Sequence, residues 1–78
     1  MNQRSTKIVQ LLSKEKDEIT VSGFAEYFQV SQKTIRNDMK GFLSAMREES
    51  IDLKALGIRG TSQEEITGRL LTAYILNK

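Results

Sequence analysis

Between Phe24 and Met39 the apolar residues sort into two short helical stripes, and only Gln29, Val30 and Ser31 stand between them. Phe24, Ala25 and Phe28 recur at helical spacing on one side. Ile35 and Met39 do so on the other. A connection this tight suits two helices that cross steeply, with small or apolar residues where they touch. Ala25 is small because the second helix of the pair passes close to it. Phe24, Phe28, Val30 and Ile35 lock the crossing. That lock holds the other side of the second helix away from the body of the protein.

The outward side is therefore the informative one. With Ile35 pointing inward and about 100° between successive residues, Met39 lies beside it. Lys33, Asn37, Lys40 and Ser44 fall on the opposite side, Thr34 and Arg36 flank it, and Gln32 and Asp38 sit nearer the core boundary. Residues 31–47 carry Lys33, Arg36, Lys40 and Arg47 against Asp38 alone, although the whole chain has a net charge of only +2. A local cationic stripe on a near-neutral protein suits a directed electrostatic contact, with a solvated helix face as the alternative. Two crossing helices with such a face form a helix-turn-helix pattern. Its second helix fits the DNA major groove, and the N-terminal end of that helix usually meets the bases. Cations there would meet phosphates, while Asn, Arg and Thr can hydrogen-bond base edges.

Composition removes most competing chemistry. The 78 residues contain no cysteine and no histidine. Disulfide scaffolds, Cys/His zinc sites, thiol catalysis and Ser-His or Cys-His nucleophilic chemistry are thereby excluded. No phosphate-binding glycine loop or evident carboxylate pair is present, so the chain reads as non-enzymatic, with no cofactor and no metal. No apolar run has the length of a membrane span, no signal-peptide pattern appears, and the lack of cysteine fits a reducing cytoplasm.

The rest of the chain reads as one compact unit, residues 1–78, without repeats, linkers or proline. Ile8, Leu11 and Leu12, with Val9 adjoining, predict helix 1 over about 3–13. "KEKDE" follows as a charged loop, and "EIT" at 18–20 is β-favouring. Thr20 is the expected N-cap of helix 2, and Ser31 that of helix 3, which runs to about Glu48 with Ile35, Met39, Phe42, Leu43 and Met46 inward. Ile51 and Leu53 alternate with polar residues, and Gly57 and Gly60 mark turns. This predicts a short β-hairpin over about 51–60, with an extension of helix 3 through Leu56 as the alternative. "SQEE" at 62–65 is a capping-box pattern opening helix 4, whose stripe is Ile66, Leu70, Leu71, Tyr74 and Ile75.

"FAEYFQVSQKTIRNDM" resembles the helix-turn-helix of DeoR-type bacterial regulators. It is equally similar to the N-terminal DNA-binding domains of transcriptional activators that carry phosphotransferase-system regulation domains. The resemblance covers about residues 4–60 and rests on Phe24-Ala25, Val30-Ser31, Thr34-Ile35-Arg36 and Asp38-Met39. "GIRGTSQEEITGRLL" tilts it toward the activators. Gly23 departs from it, standing where such families often have an acidic residue, and the wing region is short.

The resemblance implies a mostly α fold with a small β-hairpin, the winged helix-turn-helix, in the order helix 1, short strand, helix 2, turn, helix 3, short wing, helix 4. It implies sequence-specific binding of double-stranded operator DNA by a transcription regulator, with helix 3 in the major groove. By position, Gln32, Lys33, Thr34, Arg36, Asn37 and Lys40 would contact DNA, Ser31 would be cap and phosphate ligand together, and Arg59 would be a wing contact. Asp38 would be structural, pairing with a nearby cation. Such regulators act as dimers and carry a C-terminal effector domain, which this chain lacks. The chain is then an N-terminal fragment or a freestanding small regulator. The alternative function is a winged-helix protein-interaction module that docks a partner on the helix 4 stripe.

Overall fold

The computed structural model describes residues 3–14, 19–49 and 51–76. Four helices follow one another: α1 (Gln3–Lys14), α2 (Val21–Phe28), α3 (Gln32–Glu48) and α4 (Gln63–Leu76). Among the described residues there is no strand.

Each helix buries one face, and the four faces meet in a single core. From α1 come Ile8, Val9 and Leu12, and from α2 Val21, Phe24 and Ala25. The largest share comes from α3, with Ile35, Met39, Phe42, Leu43 and Met46, and α4 adds Ile66, Leu70 and Ala73. Phe24, Ile35 and Phe42 are essentially inaccessible to solvent. Each such side chain contributes about 1.5–3 kcal/mol on burial. Leu11 and Phe28 line the edge of this core rather than its centre, and Val21 and Ala73 fill places that the spacing of large residues does not single out.

Local capping fixes where the helices start. The Thr20 hydroxyl accepts from the Gly23 N–H at 3.0 Å, and the Ser31 hydroxyl accepts from the Thr34 N–H at 3.2 Å. The Ser62 hydroxyl accepts from the Glu65 N–H at 3.2 Å. Each satisfies one of the donors that a helix leaves open in its first turn. Glu64 and Glu65 in the first turn of α4 also suit its positive end.

The predicted β-hairpin over 51–60 is not formed, and neither is the winged arrangement built on it. Residues 53–57 instead make one helical turn of their own. The Asp52 carboxylate accepts from the Lys54 N–H at 3.0 Å and opens the turn. The Gly57 N–H then donates to Lys54 O at 3.0 Å, and the Ile58 N–H to Leu53 O at 3.0 Å. This is a Schellman closure, and it needs the left-handed backbone that Gly57 supplies at φ 78°. Backbone groups that a hairpin would pair across strands are spent locally. Ile58 is buried as the anchor of the connection, and Gln10 Nε2 on α1 donates to Leu56 O at 2.6 Å from the other side.

Nor does α3 extend through Leu56. The chain leaves helical geometry at Glu49, whose φ and ψ are −130° and 145°. Glu48 and Glu49 place negative charge at the negative end of the helix, which disfavours another turn. Of the predicted "EIT" strand, Ile19 and Thr20 are non-helical and unpaired with any strand, and Glu18 lies outside the described residues, as does most of the "KEKDE" loop.

Polar ties to α4 help close the bundle. Arg69 Nη1 on α4 donates to Leu12 O in the last turn of α1, where exposed carbonyls and the helix dipole favour a cation. Gln63 Nε2 reaches Met46 O at 3.4 Å, joining α4 to α3. No described helix is long and apolar enough to cross a membrane.

Candidate nucleic-acid interface

The turn between α2 and α3 decides how α3 is presented. Gln29 adopts left-handed geometry, φ 57° and ψ 45°. The Val30 N–H returns to Ala25 O at 3.0 Å and the Gln29 N–H to Glu26 O at 3.3 Å, a second Schellman closure. Ser31, extended at φ −72° and ψ 156°, then starts α3 at once. Phe24 and Phe28 stack with ring centroids 6.4 Å apart, and Tyr27 meets Phe28 edge-on at 4.9 Å. Tyr27 itself projects outward, 61% exposed.

With Ile35 and Met39 buried to within about a hundredth of their surface, the rotation of α3 about its axis is fixed. Ser31, Gln32, Lys33, Asn37 and Lys40 are exposed, and Thr34 and Arg36 are half-buried at the edges. These seven sequence-predicted positions therefore all keep accessible surface at the N-cap and along the N-terminal half of α3. Gln32 stands further out than the core-boundary place predicted for it. Its Oε1 accepts from Arg36 Nη2 at 3.4 Å, one turn along. Ser31 Oγ lies 2.9 Å from Thr34 Oγ1, so the cap and the first-turn threonine form one small hydroxyl pair at the helix N-terminus. Arg59 is exposed but sits on the α3–α4 connection, after the buried Ile58, rather than on α3.

Asp38 is the acidic residue of this helix half, and it does not compete with the cations for the outward face. Its carboxylate is turned to α1, where Arg4 donates to both oxygens, Nε to Oδ2 and Nη2 to Oδ1 at 3.4 Å. The hydrogen bond to Asp38 holds the Arg4 guanidinium above its ordinary pKa, outweighing the cost of desolvation, with a smaller contribution from the carboxylate charge. Asp38 keeps only 10% of its side-chain surface exposed in this pair. A negative charge that would repel phosphates is thus neutralised at the back of the helix.

Arg47 was part of the cation count but not of the predicted contact set. It is exposed, and it stands seven residues beyond Lys40, as Lys40 does beyond Lys33. Seven residues are nearly two helical turns, so the three cations form one ridge with about 10.5 Å between successive members. The i, i+7, i+14 spacing was the signal that could have found it.

A family model described as an HTH domain matches residues 4–60. The chain belongs to that family. Its members are DNA-binding helix-turn-helix regulators, and DNA is the partner that membership implies. No curated protein and no solved structure matches the chain.

Proposed function

We propose that this chain is the operator-reading part of a bacterial transcription regulator, similar to DeoR-type proteins and to activators with phosphotransferase-system regulation domains. In this reading α3 lies in the major groove of double-stranded DNA. Lys33 and Lys40 meet phosphates, with Ser31 serving as cap and phosphate ligand. Asn37, Arg36, Thr34 and Gln32 reach base edges. Arg59 takes a backbone contact from the α3–α4 connection. Residues 1–78 act as one domain, joined in the full regulator to an effector portion. Two copies bind half-sites about one helical turn apart.

The observation that carries this reading is the pairing of Asp38 with Arg4. It leaves the exposed N-terminal half of α3 with cations and neutral hydrogen-bonding groups only. The face has what DNA needs, and the one group that would oppose it is spent on α1.

Fluorescence anisotropy on random double-stranded DNA, titrated with salt, tests it. The wild-type chain binds and weakens steeply as salt rises. A variant with Lys33, Asn37 and Lys40 all replaced by alanine keeps the helical circular dichroism and loses binding. Salt-independent binding, or an undiminished triple variant, would refute α3 as the contact. Selection from a random duplex pool then tests sequence specificity, and a pool that stays random after selection argues against it.

A further inference from the structure

The outward face of α3 is divided lengthwise. On one side runs the ridge Lys33, Lys40 and Arg47. On the other, Thr34, Asn37, Gly41 and Ser44 present short uncharged groups, at rotations set by about 100° per residue. Gly41 is the anomaly in this strip. It is exposed, lies in the middle of a helix, and has ordinary helical φ. A Cβ built on it meets nothing within 4 Å. The fold thus gives no steric reason for glycine, and a mid-helix glycine weakens a helix relative to alanine. Glycine also marks places where another backbone or ligand approaches closely.

Resting on the reading of α3 as the DNA-contacting helix, we propose that Gly41 is the close-approach point of the interface, where one sugar-phosphate wall of the groove comes to van der Waals distance of the α3 backbone. The cation ridge attracts one strand at side-chain length. The opposite strand is met by a bare helix surface, so the helix sits off-centre in the groove. Thr34 and Asn37, with their short side chains, then reach base edges that they could not reach from a helix held further out. Gly41 is on this account a positioning residue that sets the depth of docking.

The closing experiment uses Gly41→Ala and Gly41→Leu, with Gly68→Leu as control. Gly68 is likewise exposed, mid-helix and unobstructed, but lies on α4. All three variants should melt several degrees higher than wild type, since each adds helix propensity and a Cβ at either position meets nothing within 4 Å. Affinity is measured for a duplex selected from a random pool by the wild-type chain. The expected result is a graded loss at Gly41, about threefold for alanine and at least tenfold for leucine, with Gly68→Leu unchanged; for scale, tenfold is about 1.4 kcal/mol. A stabilised fold that binds less well is an outcome that a purely structural role for Gly41 does not produce. Full affinity in Gly41→Leu would overturn the proposal. If the Lys33/Asn37/Lys40 variant loses binding in the same assay, α3 still stands as the contact and only the close approach fails. If that variant also binds normally, the function reading fails and the proposal with it.

Discussion

Arg4, in the first turn of α1, holds the carboxylate of Asp38 on α3 through two guanidinium nitrogens, 34 residues away in sequence. The pair ties the back of α3 to α1 at the level of its N-terminal half. It also removes the acidic charge from the side that carries Lys33 and Lys40. A double-mutant cycle separates these roles. Asp38→Asn and Arg4→Gln should each lower the melting temperature, and the double variant should lower it by less than their sum. DNA affinity should fall by about threefold in either single variant through lost positioning, with the salt dependence unchanged. Strict additivity of the two melting shifts would show that the contact contributes no coupling.

Gln29 holds a left-handed conformation that a side chain disfavours by about 1–2 kcal/mol. Gln29→Gly should therefore stabilise the domain by about 1 kcal/mol in urea denaturation, less the entropy glycine adds to the unfolded chain. DNA affinity should stay within about twofold, because the α2–α3 crossing is unchanged. Gln29→Val, β-branched at the same backbone angles, should be less stable than wild type. A destabilised glycine variant would mean that the glutamine side chain makes a compensating contact.

Ser31 caps α3, and in the proposed function it contacts a phosphate as well; two substitutions pull these roles apart. Ser31→Ala removes the acceptor for the Thr34 N–H and should cost about 1 kcal/mol of stability. Ser31→Asp keeps the cap, since aspartate is as good an N-cap as serine, and adds a negative charge at the N-terminal end of α3. Its stability should match wild type while duplex binding drops by at least about tenfold at low salt. Undiminished binding by the aspartate variant would place Ser31 outside the interface.

Helices were legible where periodicity and caps agreed. Thr20, Ser31 and Ser62 each sit before a run of residues at helical spacing, and each caps as its position predicts. The connection after α3 was not legible from the same signals. Ile51 and Leu53 alternate with polar neighbours, as strand residues do, but alternation over three residues also fits a turn. What decided it were bonds of short sequence range, from Asp52 to Lys54 and from Gly57 and Ile58 back to Lys54 and Leu53. The glycines that mark hairpin turns equally close a single helical turn. On the site, rotation about α3 followed from Ile35 and Met39 alone, so the exposed set was readable except for Gln32, which stands in the first turn and is exposed despite its rotation toward the core. That Asp38 takes a cation was readable in kind. Arg4 as that cation was not, because the direct α1–α3 contact joins residues 34 apart in sequence and is set by tertiary packing that no local pattern reports.

The ridge of Lys33, Lys40 and Arg47 makes a quantitative prediction about salt. Each phosphate neutralised contributes a slope of about −0.9 to the dependence of log affinity on log salt. Replacing Lys33, Lys40 or Arg47 singly by glutamine should reduce the slope by about 0.9 each, on specific and random duplexes alike. Asn37→Ala should behave in the opposite manner. It leaves the slope intact and costs about 1–3 kcal/mol on the selected duplex alone, if its amide reads a base. Arg36→Ala tests the same distinction at the helix edge, where Gln32 already engages the guanidinium. Arg47 is the sharpest of these tests, because it stands about 21 Å along the helix from Lys33. An α3 that follows the groove only through its first turns leaves Arg47 in solvent, and its glutamine variant would then keep the wild-type slope. A slope reduced at all three positions requires the helix to track one DNA strand along the whole ridge.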